Sequence, residues 1–361
     1  MPETDLLPAP LDEIKPRDDL PIDPAAARIG VLCGCDRNRD LVLDPLSRTH
    51  GVGNNDGLFM LRLVEPRLAI SRLHITPKYF RQTRVRWNLN RADLIWNVIS
   101  DIDQNPLTLD VARKMLETTK VPVINPPRLV SMTRRHDLPP RLAGLDGVHA
   151  PQCLLPKYPT RERVEKLLKE KDFRFPAILR RTGSHNGEVV GIIDSLDGLE
   201  PIFGDRKSEY YLIEFVDVRR GDGLYRKTRF FFVGDEIITR QHIVGDEWSV
   251  HGRSSRGAAD DDPRFVESAA MLIDGFEALP AATRAAVHAI RERIGLDYCG
   301  LDCCLMEDGT VVVFECNATM NFNPRFRNAR TQHNRAALPR MVSALSKLVV
   351  AKTGIPPAPQ P

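Results

Sequence analysis

The sequence predicts an α/β protein in which an open parallel α/β domain precedes two α+β subdomains. Strand, helix and strand follow one another between residues 91 and 127, the order typical of a parallel sheet. Strands joined by glycine turns come after them, and this pattern indicates antiparallel pairing. The predicted units are a flexible leader (1–27), the N-terminal domain (28–127), a lid subdomain (128–211), a C-terminal subdomain (212–354) and a tail (355–361).

Short apolar segments predict the N-terminal domain. RIGVLCG begins at Arg28 and is expected to form a buried strand, and LRLVEPRLAISRLHIT (61–76) to form a strand pair. RADLIWNVIS (91–100) is predicted to be a strand, LTLDVARKMLETTK (107–120) an amphipathic helix, and VPVINPP (121–127) the next strand.

The lid subdomain is predicted from a basic helix, TRERVEKLLKEK (160–171), followed by FPAILRRTGSHNGEVVGIID (175–194), which indicates two strands around a glycine loop. Glycines let backbone N–H groups approach an anion, so GSHNGE (183–188) could hold phosphate, although such a loop is also an ordinary turn. Arg180 continues the strand phase of Ile178 toward a covered interface, whereas Arg181 is explained as a solvated residue.

The C-terminal subdomain is predicted to contain a long antiparallel pair that turns at Gly234-Asp235. Lys227 and Arg229 share one face of its first strand. Taken alone, they would also fit an exposed basic edge.

A second hairpin, LDCCLMEDGTVVVFECN (301–317), carries acids in an otherwise core-like pattern. Asp302 lies near the start of its first strand, and Glu315 and Asn317 lie near the end of the second, on the same face. Carboxylates are rarely buried without a partner, so oxygen ligands that converge here need cations. Magnesium is the ion we predict.

Composition sets the broad class. The 361 residues are 42% hydrophobic, and 51 basic and 48 acidic residues are mixed along the chain to give a net charge of +3, which does not demand nucleic acid. No apolar run approaches the roughly 18 residues that span a bilayer, so we expect a cytoplasmic protein. The seven cysteines lack paired CxxC spacing and are predicted to be reduced structural thiols.

The order of these signals resembles the ATP-grasp superfamily, over most of residues 90–330. The most specific match is the spacing from Asp302 to Glu315 to Asn317 in a segment of the form GLDxxxxxDGxxxxxECN. The segment from Gly221 to Arg229 is similar to the glutathione-synthetase-like branch of carboxylate-amine ligases.

The resemblance implies a nucleotide site for ATP between the two subdomains. Arg180 stands where the family usually has a phosphate-binding lysine, a departure that keeps the charge and changes the geometry. An earlier phosphate-binding cation falls on Arg134 or Arg135. The loop over the phosphates contains Gly183, Ser184 and Gly187, and the adenine-binding hinge contains Glu214, Phe215, Val216 and Asp217.

The resemblance also implies the catalytic groups. Lys227 and Arg229 would face the γ phosphate and the acyl group, and Asp302, Glu315 and Asn317 would hold two Mg²⁺ ions, with Mn²⁺ as an alternative. The expected reaction joins a small-molecule or peptide carboxylate to an amine through an acyl phosphate. A kinase on the same fold and a nucleotide-binding regulatory module are the alternatives, and two-fold association is a family expectation.

Candidate substrate contacts are Arg325 and Arg327, beside the metal hairpin, and His242 and His251, which flank residues 246–248. The arginines could pair with a substrate carboxylate or cap the following helix with equal plausibility. The histidines are more simply explained as polar loop residues.

Overall fold

A computed structural model describes residues 27–36, 41–43, 50–52, 68–79, 88–183, 189–205, 207–250, 262–318 and 337–355. Most of the predicted leader and tail lie outside the described residues. So do five of the predicted site residues: Ser184, Gly187, His251, Arg325 and Arg327.

The strands within the described residues are β1 (Arg28–Gly34), β2 (Leu41–Leu43), β3 (His50–Val52), β4 (Ala69–Ile75), β5 (Leu94–Asn97), β6 (Val123–Ile124), β7 (Val148–His149), β8 (Cys153–Leu154), β9 (Ala177–Arg181), β10 (Val189–Ile193), β11 (Tyr210–Glu214), β12 (Tyr225–Val233), β13 (Glu236–Gly245), β14 (Tyr298–Leu305) and β15 (Val311–Asn317). The α-helices are α1 (Pro106–Leu116), α2 (Pro127–Val130), α3 (Leu138–Leu142), α4 (Arg161–Glu170), α5 (Pro263–Asp274), α6 (Ala281–Ile294) and α7 (Ala337–Thr353).

The N-terminal sheet has the order β4-β1-β5-β6, and its neighbouring strands pair in parallel, which confirms the predicted open sheet. Helix α1 follows β5, and Asp36 at the end of β1 accepts hydrogen bonds from the first N–H groups of this helix, at 3.1 Å from Leu107 and 2.8 Å from Thr108. The helix ends at Leu116, four residues before the predicted end. Of the predicted strand pair in 61–76, the structure describes only the second strand, β4.

The lid sheet has the order β10-β9-β11-β8, and all its pairs are antiparallel. Its covered face packs against α4, where Val164 and Leu168 contact a core that contains Leu179 and Leu212. The opposite face of β9 carries Ile178 and Arg180, so it faces away from this core.

The C-terminal sheet has the order β13-β12-β14-β15-β7, and both predicted hairpins are present in it. Its two faces are buried differently. Phe230 and Phe232 pack with residues of α6, whereas Phe231 packs with residues of α7. The α7 side of this core also includes Trp96 of β5, so the N-terminal sheet and the C-terminal sheet share apolar contacts.

Side-chain hydrogen bonds add to this junction. The Asn125 side chain, after β6, donates to the Tyr298 carbonyl at 2.7 Å and accepts from the Tyr298 N–H at 3.0 Å. Asn125 is 1% exposed, and these bonds satisfy polar groups that would otherwise be costly to bury.

Among the described residues, no helix combines the length and the apolar character that crossing a bilayer requires.

The seven cysteines are all buried free thiols, as predicted. Burial raises the pKa of Cys153 to about 12, so its thiolate is scarce at neutral pH. These side chains therefore act as small apolar core residues.

Candidate active site

A cleft of about 1340 Å³ lies between the lid sheet and the C-terminal sheet. Its walls come from the loop that follows β5, from the connector at residues 133–135, and from the cleft-facing residues of β9, β11, β12, β13, β14 and β15. Residues far apart in the chain therefore meet in one place.

Charged side chains of the described residues line much of this cleft. Seven cationic side chains line it: Arg134, Arg135, Arg180, Arg181, Arg226, Lys227 and Arg229. Seven carboxylates also line it: Asp101, Asp103, Glu214, Asp246, Glu247, Asp302 and Glu315. Among the described residues the two sets are equal in number, but Arg226 is already paired with Asp222 and Glu267, which do not line the cleft.

A row of polar side chains crosses the C-terminal sheet at the base of the cleft. Strand register places Arg229 opposite Asp302, and Asp302 opposite Glu315. Gln241 lies opposite Arg229 on the other side. Directly opposed residues in antiparallel strands share a face, so their side chains are neighbours. Asn317, paired with Gly300, lies one step farther along this face.

Asp302 is the most buried member of the row, with 2% of its surface exposed. Arg229 donates to it through both edges of the guanidinium, at 2.6 Å from Nε to Oδ1 and 2.7 Å from Nη2 to Oδ2. Lys227 Nζ lies 3.1 Å from Oδ2. Burial raises the pKa of Asp302, but these two cations outweigh burial and hold the pKa at about 2. Asp302 is therefore ionised at neutral pH. Lys227 and Arg229 do not form an exposed basic edge, because both are partly buried and their strand β12 lies between β13 and β14.

The two candidate arginines of the connector at residues 133–135 contact different partners. Arg135 forms an ion pair with Glu315 and donates to the Phe314 carbonyl at 3.1 Å, so it lies against the predicted metal ligands. Arg134 donates from Nε to Asp103 at 2.9 Å. Both line the cleft, and which of them contacts phosphate stays a prediction.

The chemistry of the donor set fits a hard divalent cation. Two carboxylates and one amide share the strand face described above, and oxygen donors of this type suit Mg²⁺. Among the described residues, no cluster of three or more His, Cys, Asp or Glu side chains could hold a metal ion. The amide oxygen of Asn317 would therefore be needed to complete the set.

The lid contributes the opposite wall. Arg180 and Arg181 both line the cleft, although only Arg180 shares the inward strand phase. Gly183 has a φ of +64°, which favours glycine, and its carbonyl accepts a hydrogen bond from Gln104 Nε2 at 2.9 Å. The start of the glycine loop is thus attached to the N-terminal domain.

A second contact joins the same two units. The Tyr211 hydroxyl, on β11, donates to Asp103 Oδ1 at 2.6 Å. Asp103 belongs to the loop after β5 and also pairs with Arg134. Burial, reinforced by the charge of Asp103, raises the pKa of Tyr211, so its hydroxyl remains a donor. Sequence patterns did not identify this cluster, because its members are distant along the chain.

The other part of the cleft is apolar. Phe215 and Trp248 form an edge-to-face pair with ring centroids 6.1 Å apart, and both line the cleft together with Val216 and Phe314. Glu214 also lines it, and its carboxylate accepts from the Gln152 N–H at 3.1 Å. Such a surface suits a planar ring. Trp248 was not selected as a site residue, since a single tryptophan in a polar segment carries no periodic signal.

Within the described part of the chain, two predicted site residues do not line the cleft. Asp217 is paired with Arg219 and is not part of the cleft wall. His242 is 6% exposed and points to the opposite face of the sheet, where Nδ1 lies 2.8 Å from the Thr228 hydroxyl and Nε2 lies 3.2 Å from Glu267. We therefore correct its assignment as a substrate contact, because both ring nitrogens already have partners inside the protein.

This architecture, with a charged and apolar cleft between the antiparallel lid sheet and the largely antiparallel C-terminal sheet, is that of the ATP-grasp fold, and solved structures share it. The D-Ala:D-Ser ligase VanG from Enterococcus faecalis is 15% identical, with a TM-score of 0.51 over 90% of this chain and 99% of its own. D-alanyl-alanine synthetase A from Vibrio cholerae is 13% identical, with a TM-score of 0.53 over 92% and 99%. The ATP-grasp ligase PsnB is 14% identical, with a TM-score of 0.50 over 89% and 99%.

These likenesses confirm the fold that the resemblance to the ATP-grasp superfamily implied. At this level of identity they show the fold alone. No family model matches the sequence, and no curated protein matches it at a significant level.

Proposed function

We propose that the protein is an ATP-dependent carboxylate-amine ligase that forms an amide or peptide bond through an acyl phosphate. The observation that carries this proposal is the row of Arg229, Asp302 and Glu315 beside Lys227, which faces the cationic lid across the cleft. ATP-grasp proteins that serve as ligases have this fold, and the comparisons with VanG, D-alanyl-alanine synthetase A and PsnB support the assignment by analogy.

The apolar and charged parts of the cleft suit different parts of the nucleotide. Its apolar part, with Phe215, Val216 and Trp248, suits the adenine ring, and its charged part suits the triphosphate. Arg180 on the lid, together with Lys227 and Arg229 on the sheet, would place positive charge on both sides of the phosphates. We also propose that Glu214 belongs to the hinge that binds adenine and that Gly183 belongs to the loop that covers the phosphates.

The reaction has two displacements. In the first, an oxygen of the substrate carboxylate forms a bond to the γ phosphorus while the bond between that phosphorus and the bridging oxygen breaks, and ADP leaves. In the second, the amine forms a C–N bond, the C–O bond to phosphate breaks, and the amine loses a proton. Inorganic phosphate is released.

Both displacements gather negative charge on oxygen atoms, so fixed cations should be the main source of catalysis. Lys227 and Arg229 are partly buried, and their charges are less screened than those of surface residues. We assign them to the γ phosphate and the acyl oxygen. Asp302, Glu315 and Asn317 would hold Mg²⁺, which when bound supplies further charge neutralisation on the phosphates.

Product analysis tests the reaction. With a panel of carboxylic acids and amines, a ligase releases ADP and phosphate only when both substrates are present. A kinase would leave the phosphate on an acceptor, and a regulatory module would bind ATP without turnover; either result would contradict the ligase proposal.

A matched pair of variants tests the site. Glu315→Gln removes a charge in the cleft, whereas Asp197→Asn removes one from an exposed residue on the surface of the lid subdomain, paired with Arg161. In the presence of ATP, adding MgCl₂ should raise the melting temperature of wild type and of Asp197→Asn further, but not that of Glu315→Gln, since ligand binding to the native state raises stability. An undiminished magnesium-dependent shift and normal turnover in Glu315→Gln would rule out the metal assignment.

A further inference from the structure

The cations and carboxylates at the base of the cleft are each other's partners. Asp302 holds Arg229 and Lys227, and Glu315 holds Arg135. The first two cations are those assigned to phosphate, and the two carboxylates are those assigned to metal. The residues for the two ligands are thus joined in ion pairs.

These ion pairs oppose the binding of a phosphate group without a metal ion. Both oxygens of Asp302 already accept from a cation, Oδ1 from Arg229 and Oδ2 from Arg229 and Lys227. A phosphate group that draws Lys227 and Arg229 away leaves a carboxylate with 2% exposure without a partner. An uncompensated buried charge is strongly destabilising.

The reverse also holds. A divalent cation that takes the oxygens of Asp302 and Glu315 leaves Lys227, Arg229 and Arg135 close to a positive ion and without their carboxylates. When both ligands enter, the pairs exchange: the carboxylates bind the metal and the cations bind phosphate.

We infer that the ion pairs of Asp302 and Glu315 with Lys227, Arg229 and Arg135 weaken the binding of metal-free nucleotide, so that these two carboxylates set how strongly nucleotide affinity depends on the divalent cation. This inference rests on the proposed function. Coupling between ligands is reciprocal, so each should tighten binding of the other by the same factor. We expect that factor to be about 100-fold or more, toward the upper part of the usual range for coupled sites.

Removal of a carboxylate should change the affinity for metal-free ATP in a predictable direction. Asp302→Asn releases Lys227 and Arg229, so this variant should bind ATP in EDTA at least about tenfold more tightly than wild type. If Asp302 were only a metal ligand, metal-free binding would not change. Glu315→Gln releases Arg135 and should act in the same direction, which provides a second variant should Asp302→Asn fold poorly.

The experiment is calorimetric titration of ATP, in EDTA and in excess MgCl₂, into wild type, Asp302→Asn, Glu315→Gln and the control Asp197→Asn. Wild type and the control should show the full magnesium effect, and the two site variants a much smaller effect with stronger metal-free binding. Equal affinity of wild type in both buffers, or no gain of metal-free binding in either site variant, would overturn the inference while leaving the nucleotide site intact. Absence of ATP binding to wild type in both buffers would overturn the proposed function and the inference with it.

Discussion

Replacement of Arg229 by methionine should destabilise the protein more than removal of the carboxylate that it contacts. Methionine keeps much of the length and apolar contact of the arginine stem, but it has no charge and no donor. Asp302 then keeps only Lys227, at 3.1 Å, as a cationic partner. In Asp302→Asn, by contrast, the groups left behind are cations with 21% and 23% of their side chains exposed, which water can still reach.

The magnitude follows from the burial of Asp302. Loss of one partner from a buried ion pair typically costs about 3–5 kcal/mol. Lys227 offsets part of this cost. Protonation of the stranded carboxyl sets an upper limit, because holding an aspartate of ordinary pKa 3.8 neutral at pH 7 costs about 4 kcal/mol. We therefore expect a loss of about 3 kcal/mol for Arg229→Met, and about half of that or less for Asp302→Asn.

The dependence on pH provides an internal check. The pKa of Asp302 is lowered, so in wild type its ion pairs stabilise the fold fully above pH 3.8, and this stabilisation is lost as pH falls through about 2. In Arg229→Met the pKa of Asp302 rises, and acid relieves the stranded charge by protonation. The difference in the free energy of unfolding between Arg229→Met and wild type should therefore become smaller as the pH falls from 7 to 4.

Urea unfolding measures this difference. With an m-value of about 3 kcal/mol/M, the expected loss lowers the urea midpoint by about 1 M at pH 7. The double variant Arg229→Met with Asp302→Asn should be more stable than the sum of the single losses, because no buried charge is left without a partner. A loss below about 1 kcal/mol at pH 7, or strict additivity in the double variant, would refute this reasoning.

Three further outcomes are expected. Tyr211→Phe keeps the buried ring but removes the donor to Asp103, and should cost about 1.5 kcal/mol in urea unfolding; a change within 0.5 kcal/mol would show that this hydrogen bond contributes little. Trp248 lines the cleft beside Phe215, so ATP with MgCl₂ should alter tryptophan fluorescence, and an unchanged signal in Trp248→Phe would exclude this residue as the reporter. Glu267, whose pKa is held at about 2 chiefly by a hydrogen bond from a buried histidine, should stabilise the fold above pH 4.5 and cease to do so as pH falls through about 2; a gap between Glu267→Gln and wild type that does not depend on pH would contradict this.

Local patterns were sufficient to predict the hairpin that carries Asp302 and Glu315. Alternation and the turn at Glu307–Thr310 indicated both strands, and the positions of Asp302 and Glu315 indicated one shared face. The structure places these residues directly opposite each other. A period of two residues is enough for this prediction, because two strands joined by a short turn have little freedom of register.

The same reasoning was wrong for His242. Its position near a polar segment suggested a loop, but it lies in the middle of β13 and faces Glu267 of α5. Which face of a strand meets a helix depends on packing between elements, and a sequence of alternating polar and apolar residues does not identify the partner. Arg180, in contrast, shares the strand phase of Ile178 as predicted from alternation, and both side chains line the cleft.

The amino-acid sequence by itself determined the order of the elements, the parallel and antiparallel character of the sheets, and the acids and cations of the two hairpins. These features depend on short-range periodicity and on turn chemistry, which neighbouring residues encode. Tertiary structure alone decided which charges meet, because ion pairs such as Arg135 with Glu315 join residues 180 positions apart. The contacts that tie the lid to the N-terminal domain through Asp103, and the pairing of Phe215 with Trp248, depend on the same long-range packing.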